Sequence, residues 1–117
     1  MSNAATIEAF ALEIIDNFKG LPDETGGHHA PGYLSAADIN DGVSDLALAL
    51  GGTVHGTYNG PNTSFQAGQA VVVAAGQILS AEQAGNPVAL AQAEFAFQTD
   101  VNLVGQGHNY SIDLHLI

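Results

Sequence analysis

The chain contains no cysteine and no arginine, and Lys19 is its only lysine. The absence of cysteine excludes disulfides, thiolate metal sites and a cysteine nucleophile. Twelve acidic residues give a formal net charge of −11. Proteins that bind a phosphate backbone need several basic side chains to displace its counterions. The sequence therefore predicts that the protein binds neither nucleic acid nor an anionic membrane surface.

Long apolar runs and catalytic signatures are also missing. No apolar stretch approaches the ~20 residues that a membrane-spanning helix needs. The sequence has no P-loop, no G-x-S-x-G elbow, no H-E-x-x-H and no G-x-G-x-x-G. We therefore expect no membrane span and favour a protein without catalytic activity, although an unmarked enzyme is not excluded.

Apolar residues make up 46% of the 117 residues, which is enough for the core of one domain. Residues 1–4 include Ser2-Asn3-Ala4, which matches a remnant of tag cleavage. We expect residues 1–4 to be such a remnant or a disordered N-terminus. Residues 5–117 are predicted to form a single α+β domain.

Apolar side chains at helical spacing predict about three helices. These cover residues 6–18, residues 35–50 and residues 63–79. The three consecutive valines within residues 70–74 favour a strand as the alternative there. A short further helix is predicted over residues 87–92, because proline suits the first helical position.

Capping signatures mark the predicted helix starts. Thr6 can cap the first helix, and Ser35-x-x-Asp38 resembles a capping box at the second. Thr63-x-x-Gln66 gives the same signature for the third helix.

Alternating apolar and polar residues predict the strands. A short strand is expected over residues 53–58. Residues 95–104 and residues 108–117 also alternate, and the glycine-rich residues 105–107 lie between them. We therefore predict a C-terminal β-hairpin, so that the fold class is α+β with about three helices packed on a small antiparallel sheet.

The histidines are the main candidates for a functional site, because the chain has five of them and only one other basic residue. Neutral imidazoles are good ligands for divalent metals, and a negative protein concentrates cations. A site would combine one histidine from the loop over residues 21–34 with others from the strands. The candidate metal ligands are His28, His29, His55, His108 and His115. The alternative is that these histidines are separate polar surface groups.

Short pairs on the predicted strands point to the same chemistry. His108 and Tyr110 lie two residues apart, as do Asp113 and His115, so each pair shares one face of a strand. A histidine–tyrosine pair suits haem iron, and an aspartate–histidine pair suits a metal ion or acid–base catalysis. A divalent metal or haem is therefore the cofactor that the sequence suggests.

Three functions are compatible with these observations. The first is a non-catalytic binding or assembly module of an exported or surface-associated bacterial protein. The second is a histidine-dependent metal or haem binder, and the third is a small enzyme with a histidine–carboxylate pair. For the first, we expect a protein partner or self-association through an edge strand at the C-terminus, or a small neutral or cationic ligand.

In composition, the chain resembles substrates of bacterial type I secretion, since it is acidic, poor in lysine, rich in glycine and free of cysteine. It also resembles secreted haem-scavenging proteins in composition. The nonapeptide calcium repeat of type I substrates is absent. The resemblance implies an extracellular or cell-surface location.

Overall fold

The structure of the protein is a computed structural model that describes residues 4–21, 29–106 and 113–116. Within these residues, helices and a two-stranded antiparallel sheet form an α+β fold in which helix dominates. In chain order the elements are α1 (Ala4–Lys19), α2 (Ala36–Asp38), a π-helical segment (Ile39–Val43), α3 (Ser44–Ala49), β1 (Thr53–His55), α4 (Phe65–Ala84), α5 (Pro87–Gln106) and β2 (Asp113–His115).

The core lies between the long helices, since α4 packs against both α1 and α5. Ile14 of α1, Ile78 of α4 and Phe97 of α5 are almost completely buried there. The predicted first helix is confirmed as α1, but it begins at Ala4, so Thr6 lies inside the helix and does not cap it.

The start of α4 lies very close to α1. A Cβ atom at Gly68 would stand 2.7 Å from Thr63 Oγ1 and 2.9 Å from the ring of Phe18. A side chain at this position would have to displace the Thr63 hydroxyl and the Phe18 ring, so glycine allows the start of α4 to lie against them.

The helix predicted over the consecutive valines is confirmed, and the strand alternative is wrong. Ser64 caps α4, because its hydroxyl oxygen accepts a hydrogen bond from the backbone N–H of Ala67 at 3.1 Å. The helix continues past the predicted end near residue 79 and stops at Gly85, whose φ of 64° is a left-handed conformation suited to glycine.

The predicted C-terminal hairpin is wrong. Residues 95–104, which we expected to form its first strand, lie in the second half of α5. Phe97 and Val101 stand four residues apart and are buried, whereas Phe95 is 59% exposed and Leu103 is 58% exposed. Burial thus follows the helical period, although large apolar residues also recur at every second position in this segment.

The start of α5 explains why this segment is helical. Pro87 occupies its first position, and the side-chain oxygen of Asn86 accepts a hydrogen bond from Ala89 N–H at 3.1 Å. The short helix predicted over residues 87–92 therefore continues to Gln106, and the described residues contain four helical stretches instead of three.

The capping box at the second helix is confirmed. Ser35 Oγ accepts a hydrogen bond from Asp38 N–H at 3.1 Å, and Asp38 Oδ2 accepts one from Ser35 N–H at 2.8 Å. The sequence did not indicate that this helix would widen into a π-helical segment over Ile39–Val43 before it continues as α3.

The two strands pair antiparallel, with Thr53 opposite His115, Val54 opposite Leu114 and His55 opposite Asp113. The last predicted strand therefore exists in part, as β2, but its partner is β1. Leu114 is fully buried and Val54 partly so. Because α5 takes up the first strand of the expected hairpin, the second strand pairs with β1, and Leu114 is buried there.

Candidate functional site

The structure separates the predicted metal ligands. His28 and His108 lie outside the described residues. Of the other candidates, His29 lies next to α2, whereas His55 and His115 lie on the sheet. Within residues 4–21, 29–106 and 113–116, no three histidine, aspartate or glutamate side chains are grouped to hold a metal ion. A site that joins a loop histidine to histidines of the strands therefore stays a prediction.

His29 is held by hydrogen bonds on both sides of its ring. Nε2 lies 2.6 Å from Asp38 Oδ2, and Nδ1 lies 2.5 Å from the carbonyl oxygen of Ala30. The ring also stacks on Tyr33, with 4.2 Å between the centroids. Both neighbours are acceptors, so the imidazolium form, which donates from both nitrogens, satisfies them together.

These contacts determine the direction in which the pKa of His29 shifts. Burial acts to lower the pKa of His29, but the hydrogen bonds to Ala30 and Asp38, together with the Asp38 charge, outweigh it and raise the pKa. In this arrangement neither ring nitrogen offers a lone pair to a metal ion or a substrate proton. The pair therefore anchors the loop to the start of α2.

Tyr58, the last residue of the segment in which a strand was expected, is also structural. It lies beyond the end of β1 and is buried, and its hydroxyl donates to the carbonyl oxygen of Pro61 at 2.7 Å. Its backbone N–H donates to Asn40 Oδ1 and its carbonyl accepts from Asn40 Nδ2, both at 2.8 Å. Burial raises the pKa of Tyr58.

His55 and His115 are brought together by the pairing of the strands. Their ring centroids are 5.7 Å apart and their planes are inclined at 77°. Both histidines are exposed, whereas the residue before each of them, Val54 or Leu114, turns toward the core. The sequence could not show this contact, because it depends on the pairing of β1 with β2.

A second candidate site is a pair of adjoining grooves along α4 and α5, which sequence reasoning missed. One groove has a volume of about 510 Å³ and the other about 400 Å³, and Val73 and Gln77 line both. We name this surface the α4–α5 face. Its remaining lining residues are mostly alanine and glutamine, and Asp100 is the one charged residue that lines either groove.

The α4–α5 face is poor in charge, although the protein is strongly acidic. Only three of the twelve acidic residues lie on these two helices: Glu82, Glu94 and Asp100. Burial raises the pKa of Glu94, as does the neighbouring charge of Glu82, and burial also raises the pKa of Asp100. These helices therefore carry little of the charge that would oppose close contact with another acidic protein.

Large apolar side chains are concentrated on the same helices. Eight large hydrophobic residues are exposed among the described residues, and five of them belong to α4 or α5. These five are Phe65, Val73, Val88, Phe95 and Leu103. Of these five, Val73 lines both grooves, and Phe65 lies beside the ring of Phe18 of α1.

The C-terminal strand offers less to a partner than the sequence suggested. Side chains of α5 occupy its backbone groups: Asn102 Oδ1 accepts from Leu114 N–H at 2.8 Å, and Asn102 Nδ2 donates to the Leu114 carbonyl at 3.2 Å. Gln98 Oε1 accepts from Leu116 N–H at 2.6 Å. A strand that paired at this edge would first have to displace these amides.

No helix within the described residues is long and apolar enough to cross a membrane.

The chain matches no protein-family description, no curated protein and no solved structure.

Proposed function

We propose that the protein is a non-catalytic assembly module that associates with a second copy of itself through the α4–α5 face. The observation that carries this proposal is the coincidence of three properties on one pair of helices. These are adjoining grooves, exposed apolar side chains and scarcity of charge.

The size of the face is compatible with a weak dimer. Each helix has 20 residues, so at 1.5 Å per residue it is about 30 Å long, and two neighbouring helices are about 20 Å wide. Such a face buries about 600 Å² per copy, or about 1,200 Å² in total, which is the lower limit for a specific interface. We expect a weak association, at micromolar concentrations.

Charge favours a second copy as the occupant. A basic partner would be attracted to the parts of the chain that carry the other nine acidic residues, including the loop, α1 and the helix over residues 36–49. The α4–α5 face suits a surface that is equally uncharged and equally apolar. The chain itself supplies such a surface, and two copies that meet there keep most of their negative charges apart.

The other expected functions have weaker support. Self-association through an edge strand is less favoured, since Asn102 and Gln98 occupy the backbone of β2. Catalysis by a histidine–carboxylate pair is less favoured too, because His29 uses both ring nitrogens and neither groove is lined by a histidine. The extracellular or cell-surface location is supported only by composition.

The test is sedimentation equilibrium of the tag-free chain at concentrations from about 5 to 500 μM. We expect a monomer–dimer equilibrium that Val73→Glu weakens at least tenfold, because Val73 is 53% exposed and lines both grooves. Leu48→Glu is the matched control, since Leu48 is similarly exposed but lies on α3. It should leave the dimer unchanged.

Asp100→Asn provides a gain-of-association test, because it removes the charge that lines the groove. It should tighten the dimer at pH 7. A wild-type chain that stays monomeric at the highest concentration contradicts the proposal, as does a Val73→Glu variant that associates as strongly as the Leu48→Glu control.

A further inference from the structure

The pairing of β1 with β2 places two imidazoles on one exposed face of the sheet. We infer that His55 and His115 form a two-histidine site for a divalent transition metal such as Zn²⁺, Ni²⁺ or Cu²⁺. This inference is independent of the α4–α5 face, because neither histidine lines the grooves.

The distance between the rings suits one shared ion. A zinc–nitrogen bond of about 2.1 Å puts the ion about 3.2 Å from the ring centre, so two imidazoles on a tetrahedral ion stand about 5.2 Å apart. The observed centroid separation is 5.7 Å. The two separations differ by about 0.5 Å.

The register supports the same conclusion. His115 is opposite Thr53, two residues before His55, so the two histidines are diagonal neighbours across the strand pair. Diagonal neighbours on an antiparallel pair are within reach of long side chains. The backbone hydrogen bonds of the two strands hold this relation between them.

The chemistry of the site selects the class of metal. Imidazole nitrogen suits zinc, nickel and copper, whereas calcium and magnesium prefer oxygen ligands. The net charge of −11 raises the local concentration of cations. Two protein ligands leave positions on the ion for water or for a further donor.

Each strand has only three residues, so an ion bound across them would stabilise their pairing. The site would then join the C-terminal strand to the segment after α3 and would make the strength of that connection depend on metal.

The first test is calorimetric titration of the tag-free full chain with Zn²⁺ and with Ni²⁺ at neutral pH. We expect one ion per chain with a dissociation constant below about 100 μM. His55→Ala and His115→Ala should each weaken binding at least tenfold. His29→Gln is the control, and it should bind as the wild type does, because His29 is engaged with Asp38 and Ala30.

A paramagnetic probe locates the ion. Substoichiometric Cu²⁺ should broaden the imidazole NMR signals of His55 and His115 before those of the other histidines. Broadening of other histidines first, half an ion per chain, or undiminished binding by His55→Ala and His115→Ala would each overturn the inference, as would a wild-type chain that binds no metal.

A gain-of-binding variant completes the test. Thr53 is exposed and lies opposite His115, so Thr53→His adds a third imidazole and should tighten Zn²⁺ binding at least tenfold. The control is Gln83→His, which adds a histidine at an exposed position near the end of α4. If the two variants bind equally well, the site does not lie on the sheet.

Discussion

Two regions of the molecule are held together in different ways. The helical region, which consists of α1, α4 and α5, is packed by buried apolar side chains, many of them alanine. The irregular region, over residues 29–64 and 113–116, is held by side chains that bond to backbone groups of another segment. Asn40 holds Tyr58 and Asn102 holds Leu114. Thr63 Oγ1 accepts from Leu34 N–H, and the Thr63 backbone N–H donates to the Leu34 carbonyl.

The difference reflects what each kind of backbone needs. A helix satisfies its own N–H and carbonyl groups, so it can be positioned by packing that has no direction. An irregular segment leaves these groups unpaired, and a buried segment must find partners for them elsewhere. An asparagine amide has one donor side and one acceptor side, so a single side chain can serve both groups of one residue.

The largest expected effect tests the helical region. Phe97→Ala should lower the free energy of unfolding by about 3–5 kcal/mol, because Phe97 is fully buried. Phe95→Ala, only two residues away, should change it by less than about 1 kcal/mol, because Phe95 is largely exposed. Urea denaturation followed by circular dichroism measures both.

This pair also separates the helix from the hairpin that the sequence suggested. In a strand, the side chains of Phe95 and Phe97 would lie on the same face, and the two variants would lose similar amounts of stability. Equal losses would therefore contradict α5.

A smaller effect is expected in the irregular region. Asn40→Ala removes both hydrogen bonds to the backbone of the buried Tyr58, so it should cost about 2–3 kcal/mol. Asn102→Ala should cost a similar amount at Leu114. The exposed Asn59 is the control, and Asn59→Ala should leave the stability unchanged.

Hydrogen exchange shows whether this loss is local. The amide of Tyr58 should exchange faster in Asn40→Ala, and the amide of Leu114 should exchange faster in Asn102→Ala. If exchange rises equally over α4 and α5 in both variants, the asparagine hydrogen bonds do not stabilise Tyr58 and Leu114 locally. The two regions would then not be distinct.

The smallest effect concerns the His29–Asp38 pair. Because folding raises the pKa of His29, the pair stabilises the protein fully below the ordinary imidazole value of about 6.5. This contribution is lost as the pH rises through the folded-state pKa. Between pH 6 and pH 8.5 the difference in stability between wild type and His29→Gln should shrink by about 0.5–1 kcal/mol.

The lower limit of this pH range, pH 6, is chosen because carboxyl groups also change the stability at lower pH. Burial raises the pKa values of Asp45, Glu94 and Asp100, so their protonation also favours the folded state as the pH falls. Measurements above pH 6 keep this effect small. Asp38→Asn should remove the same pH-dependent part of the free energy of unfolding as His29→Gln. If the free energy of unfolding changes with pH in parallel for wild type and His29→Gln, the pair adds no pH dependence.

Features that depend on neighbouring residues could be predicted from the amino-acid sequence. The first helix, the capping box at Ser35 and Asp38, and the helix through the three valines all follow from side chains within a few positions of one another. The scarcity of basic residues likewise belongs to the composition.

Tertiary structure decided the C-terminal part and both candidate sites. Phe95, Phe97 and Val101 fit a strand and a helix equally well by spacing, and only packing against α4 determines that Phe97 is buried and Phe95 is not. His55 and His115 are 60 positions apart in the sequence, so their contact depends on the pairing of β1 with β2. The α4–α5 face exists only because two helices adjacent in sequence pack side by side, and no pattern within either helix specifies the groove between them.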